Sequence, residues 1–191
     1  MCERCSWCTQ DPAYISYHDR EWGRPLHGDR ALYELLVLEG MQAGLSWLTV
    51  RKKREAFRRA FEGFEPARVA EYGERELERL LSDSGIVRNR RKLISAIGNA
   101  RAVCAVQREC GSFDALVWSF APAECATPER GCARATSPEA HRLSAALKAR
   151  GFTFVGDKIM HSFMQAAGLI NEHEAGCFLA GRALRDRKSV V

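Results

Sequence analysis

The sequence predicts an all-α protein. Apolar residues recur at intervals of three and four along most of the chain, and no stretch sustains the alternation of a half-buried strand. The punctuation agrees: Ser, Asn or Asp precedes several of the periodic runs, and Gly closes most of them. Residues 1–28 fall outside the pattern, with Pro12, Gly23, Pro25 and Gly28 among aromatics, and read as an irregular arm with short turns. Asp29 then caps a helix through Leu32, Leu35, Leu36 and Leu38 to about Gly40. Ser46 caps the next, which carries Trp47, Val50, Phe57, Ala60 and Phe61 among basic residues until Gly63 stops it. Short helices follow over 66–72 and 74–81, the second broken by Gly85. From Asn89 a longer one has Leu93, Ile94, Ile97, Ala100, Val103 and Cys104 recurring at three and four. Residues 113–120 make one more short helix, and 121–136, with Pro122, Pro128 and Gly131, a loop. Ser137 with Pro138 is a strong start for a helix to about Arg150. After the tight connection Gly151-Phe-Thr-Phe-Val-Gly156, a last helix runs over 157–167 and closes at Gly168. Residues 178–191 are basic and aperiodic and are expected to form a loose tail beyond a single domain over 1–177.

Composition narrows the function classes. With 191 residues, 46% hydrophobic and 28% charged, the chain is an ordinary globular protein, which excludes disorder, collagen and a simple coiled coil. No apolar run approaches the roughly 18 residues of a membrane span. No apolar leader follows Met-Cys-Glu-Arg-Cys, so the expectation is a cytoplasmic protein, and nothing argues for an oligomer over a monomer. The net charge of +5 permits a phosphate-bearing partner without requiring one. Eight cysteines in a chain without an export signal point to metal ligation, redox work or buried small hydrophobes rather than disulfides.

Three groups of residues carry chemistry. Cys5 and His18 early, and His173 and Cys177 late, supply four zinc-type ligands, the last two spaced to face one way on a helix or tight turn. Cys2 and Cys8 are competing thiols, and a zinc site elsewhere or none is the alternative. Between residues 7 and 47 lie Trp7, Tyr14, Tyr17, Trp22, Tyr33 and Trp47, flat side chains suited to stacking on a heterocycle or to filling a small core. Glu39, at the end of an apolar helix, favours the first reading, since a cationic purine would match a buried carboxylate. The Gly151–Gly156 turn between helices, with Lys148, Arg150 and Lys158 beside it, is either a plain helix pair or a backbone cradle for a phosphate.

Three blocks in order then identify a likeness: Asp11-Pro-x-Tyr14-x-x-Tyr17-His18-Asp-x-Glu-Trp22-Gly23, Glu39-Gly-x-Gln42-Ala-Gly-Leu45-Ser-Trp47, and Gly151-Phe-x-Phe-Val-Gly156 with Ser162-Phe-Met-Gln165-Ala. The chain resembles the constitutive, type I bacterial 3-methyladenine DNA glycosylases of the helix-hairpin-helix superfamily. The resemblance implies a helix-hairpin-helix fold in which one structural zinc, on Cys5, His18, His173 and Cys177, ties the two ends together. It also implies monofunctional, hydrolytic excision of 3-methyladenine from alkylated double-stranded DNA, releasing the free base. By the same likeness Glu39 recognises the base, Trp47 stacks on it, Tyr17 edges the pocket, and Trp7, Tyr14 and Trp22 wall it. Gln42 and Leu45 fill the gap left in the duplex, and Gly151, Gly156 and Lys158 hold its backbone. The aspartate that the wider superfamily carries after the hairpin is missing; Leu169, Ile170 and Asn171 stand there. Rival readings are a non-catalytic DNA binder, a glycosylase–lyase using Lys158, and a thiol redox protein. Glu39 among aromatics argues against the first, and the missing aspartate against the second. The want of a Cys-x-x-Cys at a helix start beside a strand argues against the third.

Overall fold

A computed structural model describes residues 3–125 and 127–182. Ten α-helices and one 3-10 turn make up its regular structure, and no strand occurs among the described residues. The helices are α1 (Pro12–Arg20), α2 (Asp29–Gln42), α3 (Trp47–Lys52), α4 (Arg54–Ala60), α5 (Pro66–Ala70), α6 (Glu74–Ser82), α7 (Arg90–Cys110), α8 (Phe113–Trp118), α9 (Pro138–Ala149) and α10 (Asp157–Ala166). No described helix is long and apolar enough to cross a membrane, and every described cysteine is a free thiol.

The core is built around α2. Its side chains from Leu32 to Met41 are buried on all faces, as expected of a helix enclosed by others rather than lying on a surface. α7, α8, α10, α3 and α5 pack against it. Tyr33, fully buried, donates its hydroxyl to the carbonyl of Ala96 on α7 (2.9 Å), so its polar end is satisfied inside the core. Beyond it Phe64 and Phe61 stack at 5.2 Å.

Four helix starts follow the expected type of cap, whereas Asp29 does not cap α2 but lies inside it after Gly28 and accepts from Gln107 and from Asp114 N–H instead. Ser46, Asn89, Ser112 and Ser137 each accept from the backbone N–H of the third residue on, satisfying a donor that the first turn leaves unpaired. The arm was expected to be irregular, yet it contains α1. Asp11 accepts from Ala13 N (2.8 Å) with Pro12 at the first helical position, the same start as Ser137 with Pro138. The helix expected from Trp47 to Gly63 is instead two, broken at Lys53 (φ −95°, ψ 0°), whose ammonium binds the carbonyls of Ser84 and Gly85 at 3.0 and 3.1 Å. The loose tail does not begin at residue 178. Leu179 is buried and the Phe178 N–H donates to the Glu3 carbonyl (3.0 Å); residues 183–191 lie outside the described part.

The basic run on α3 and α4 is largely engaged internally. Arg51 and Arg54 both bind Glu21, and Arg54 and Arg58 both bind Glu34 on α2. The arm returns along the end of α10, with Gly23 N–H donating to Gln165 O (3.1 Å) and Leu26 N–H to Ala167 O (2.9 Å). That contact is possible because residue 168 is glycine. It has φ +75°, and a Cβ there would lie 2.3 Å from the carbonyl carbon of Arg24. Gly168→Ala should therefore lower stability by about 2 kcal/mol or more, seen as a fall of several degrees in the melting temperature.

Candidate active site

The arm, α2, α3, α10 and the loop between α8 and α9 enclose a cavity of about 280 Å³, at the small end of the range for ligand pockets. One wall is aromatic. Trp7 meets Trp22 edge-on at 5.0 Å and Tyr14 at 6.0 Å, while Tyr17 tilts against Trp47 at 5.6 Å. The Arg51 guanidinium lies 4.7 Å from the centre of the Tyr17 ring and makes a bidentate pair with Glu21, so that ring is backed by a fixed cation.

The opposite wall is polar. Glu39 (4% exposed) and Gln42 come from α2, Ser162 and Gln165 from α10, and Glu172 and Glu174 from the segment after it. Glu172 accepts from Gln165 Nε2 (2.6 Å) and from His161 Nε2 (3.2 Å), and is paired with Arg134 of the 121–136 loop. Burial alone would raise its pKa. The hydrogen bonds from His161 and Gln165, reinforced by Arg134, outweigh it and hold the carboxyl below its ordinary range, so it is ionised. A carboxylate only accepts, so Gln165 must face it with its amide nitrogen and turn its carbonyl oxygen away. Glu174 accepts from Ser6 N–H (2.5 Å) and Ser6 Oγ (2.7 Å), fastening the arm.

Behind the aromatic wall, Cys5, His18, His173 and Cys177 are all buried, with one ligand atom each lying within 4.8 Å of the others. This set could hold a metal ion. Cys5 Sγ is 3.4 Å from His173 Nδ1, and Cys177 Sγ is 3.5 Å from His18 Nε2 and 3.6 Å from His173 Nδ1. The outward nitrogens are held too: His18 Nδ1 by Asp19 (2.8 Å), itself clamped by Arg4, and His173 Nε2 by the Trp22 carbonyl (3.3 Å). Glu174 N–H donates to Cys5 Sγ and Leu179 N–H to Cys177 Sγ, each at 3.4 Å. Burial drives the His173 pKa down to about 4, so its ring is neutral, as a ligand must be. The wall rests on this cluster, with Trp22 edge-on to His173 at 4.7 Å and Trp7 against His18 at 5.4 Å.

A model of the methyladenine glycosylases matches residues 7–180. The chain belongs to that family. As a glycosylase it is a hydrolase, and its relatives share nearly its whole length. DNA-3-methyladenine glycosylase 1 of Escherichia coli (strain K12) is 47% identical over 92% of this chain and 95% of its own. DNA-3-methyladenine glycosylase of Haemophilus influenzae is 39% identical over 93% and 97%. A structure of 3-methyladenine DNA glycosylase I from Staphylococcus aureus, solved to explain 3-methyladenine recognition, superposes with a TM-score of 0.89 at 37% identity. It covers 94% of this chain and 97% of its own.

The glycosylase brings Trp7, Tyr14, Tyr17, Trp22, Glu39, Gln42 and Trp47 to one cavity. Leu45 stands outside it, 42% exposed in the turn after α2, and Gly151, Gly156 and Lys158 belong to the turn between α9 and α10 and the start of α10. Sequence reasoning missed Glu172 and Arg134. Glu172 had a signal, an acid between the apolar Leu169-Ile170 pair and His173; Arg134, in an aperiodic loop, had none. Removing the carboxylate would strand His161 and Gln165, so Glu172→Ala should destabilise the fold by about 3 kcal/mol in urea unfolding. Arg134→Ala, at a half-exposed partner, should cost about 1 kcal/mol or less.

Proposed function

We propose that the enzyme flips 3-methyladenine out of alkylated double-stranded DNA and hydrolyses its glycosidic bond, leaving an abasic site and the free base. The observation that carries this reading is Glu39, a buried carboxylate in an aromatic cavity about the size of one base.

Methylation at N3 makes the purine cationic and already weakens its bond to C1′, so the leaving group needs no proton from the protein. The work left is extraction, recognition and admission of water. Trp47 stacks on the ring, and Tyr17, backed by Arg51, closes its edge. Glu39 accepts from the exocyclic amine, and its charge favours the cationic base over unmodified adenine. Trp7, Tyr14 and Trp22 complete the wall. Gln165, oriented by Glu172, adds a carbonyl acceptor on the polar side. Two acceptors suit the amine of 3-methyladenine and oppose the keto oxygen of 3-methylguanine, which favours the adenine derivative. Hydrolysis without strand cleavage fits a cavity whose described lining offers carboxylates, amides and an arginine rather than the lysine of a Schiff base.

On the DNA, Gln42 and Leu45 enter the gap left by the flipped nucleotide, while the Gly151–Gly156 turn and Lys158 hold the backbone as a helix-hairpin-helix. The enzyme acts as a monomer in the cytoplasm. The metal is zinc. Zinc–sulfur bonds of about 2.3 Å and zinc–nitrogen bonds of about 2.0 Å give tetrahedral sulfur–nitrogen edges of about 3.5 Å. Three of the four sulfur–nitrogen separations, at 3.4 to 3.6 Å, are close to that value, which supports the reading. Cys5, His18, His173 and Cys177 would hold the ion as its four ligands, and it would supply cross-linking rather than catalysis, since four protein donors would leave no position for water.

Glu39→Gln should lower release of 3-methyladenine from methylated duplex by about a hundredfold while duplex binding survives. Chromatography of the released base reads the first and a gel shift the second; full excision at saturating enzyme would refute the assignment. His173→Ala should lose its equivalent of zinc in elemental analysis and melt roughly 10 °C lower. Retention of a full equivalent would remove His173 from the ligand set.

A further inference from the structure

The mechanism above makes no use of Lys92, although few lysines are placed as it is. It lies at the start of α7 and is only 9% exposed. Its ammonium donates to the carbonyl of Met41 (2.9 Å) and to that of Ala43 (2.5 Å), about 50 residues away in sequence. Those carbonyls belong to the last turn of α2 and its C-cap, where the helix leaves acceptors unpaired and concentrates its negative end. A buried lysine there satisfies both the acceptors and the dipole.

The segment it holds is the exposed turn 43–46. Gly44 has φ +77°, Leu45 is one of two large apolar side chains left exposed among the described residues, and Ser46 closes the turn by capping α3. Besides the lysine, the turn is tied to the end of α2 by Leu45 N–H to Gln42 O (2.6 Å) and by a longer bond from Ala43 N–H to Gly40 O (3.4 Å). So short a connection, with no core of its own, keeps its aim only if its base is fixed.

We propose that Lys92 is a positioning residue for DNA engagement: by clamping the Met41 and Ala43 carbonyls it aims Leu45 at the gap in the duplex. This rests on the reading of Leu45 as the residue that enters DNA. It separates two tasks within α2, because Glu39, one turn earlier, serves the base, whereas the clamped end serves the duplex.

A double-mutant cycle tests it, with Lys92→Met, Leu45→Ala and the pair measured on a duplex carrying a stable abasic-site analogue and on methylated duplex. Free 3-methyladenine binding is followed by tryptophan fluorescence. Each single change should weaken abasic-duplex affinity and kcat/KM by about tenfold, and the pair by about tenfold rather than a hundredfold, because both remove one device. Lys92→Met should keep its affinity for the free base within about twofold, a result that general unfolding would not give. Additive losses, unchanged duplex affinity, or free-base affinity lost in step with duplex affinity would each overturn the proposal. If the wild type itself releases no base, the reading of the reaction fails instead, and the two failures are distinguishable.

Discussion

Cys5 and His173 are 168 residues apart in sequence, yet Sγ and Nδ1 stand 3.4 Å apart, and most of what faces the cavity from the N-terminal arm depends on that closure. Trp7 leans on His18 and Trp22 on His173, so the aromatic wall has the ligand cluster as its foundation. The arm has one short helix and little core of its own. Left to hydrophobic burial alone it would be the part of the fold most prone to open locally. Joining it to the segment after α10 removes the freedom of both ends together. Glu174 with Ser6, Phe178 with Glu3 and the backbone of residues 23–26 against α10 close the same seam.

Charge follows a similar economy. The run of arginines on α3 and α4 contributes much of the basic excess, but Glu21 and Glu34 engage Arg51, Arg54 and Arg58 in a chain of shared carboxylates. Glu34 sits on the central helix, where a lone carboxylate would be strongly destabilising; two guanidiniums make its burial tolerable. Arg51 then works twice, because the guanidinium fixed by Glu21 also backs the Tyr17 ring. Net charge is therefore a poor guide to the nucleic-acid surface here, since much of the basic excess near the cavity is spent inside the protein.

The helical body was legible because its signals are local. Ser137 with Pro138, Asn89 and Ser46 mark helix starts wherever they fall, and three-and-four spacing of leucines identifies buried faces. The four metal-type donors were legible for another reason: spacing offered them with Cys2 and Cys8 as competitors, and the resemblance singled out Cys5, His18, His173 and Cys177. α1 was hidden by its aromatics, which break the apolar pattern although Asp11-Pro12 is as good a start as Ser137-Pro138. Glu172 and Lys92 were hidden by their type. A charged residue reads as solvated until the partners that permit its burial are known, and those partners lie on other elements: Arg134 and His161 for one, the end of α2 for the other.

The same limitation explains why α7 reads as scaffold while doing more than fill space. Asn99 accepts from Thr153 N–H (2.9 Å) and donates to Thr153 O (3.0 Å), a paired contact that fixes both backbone polar groups of one residue in the α9–α10 turn. Ser95 adds bonds to the Thr153 carbonyl and hydroxyl. Lys92, two turns earlier on the same helix, holds the end of α2. At 1.5 Å per residue the two anchor points are separated by about 10 Å along a rod whose spacing thermal motion hardly alters. The two surface turns are each short and glycine-containing, and neither could maintain its position relative to the other alone. Held to one long helix, the turn bearing Leu45 and the turn between α9 and α10 keep a fixed register. On the proposed reading, in which both turns meet the duplex, that register has to come from the protein, because bending DNA to suit a loose pair would itself cost several kcal/mol.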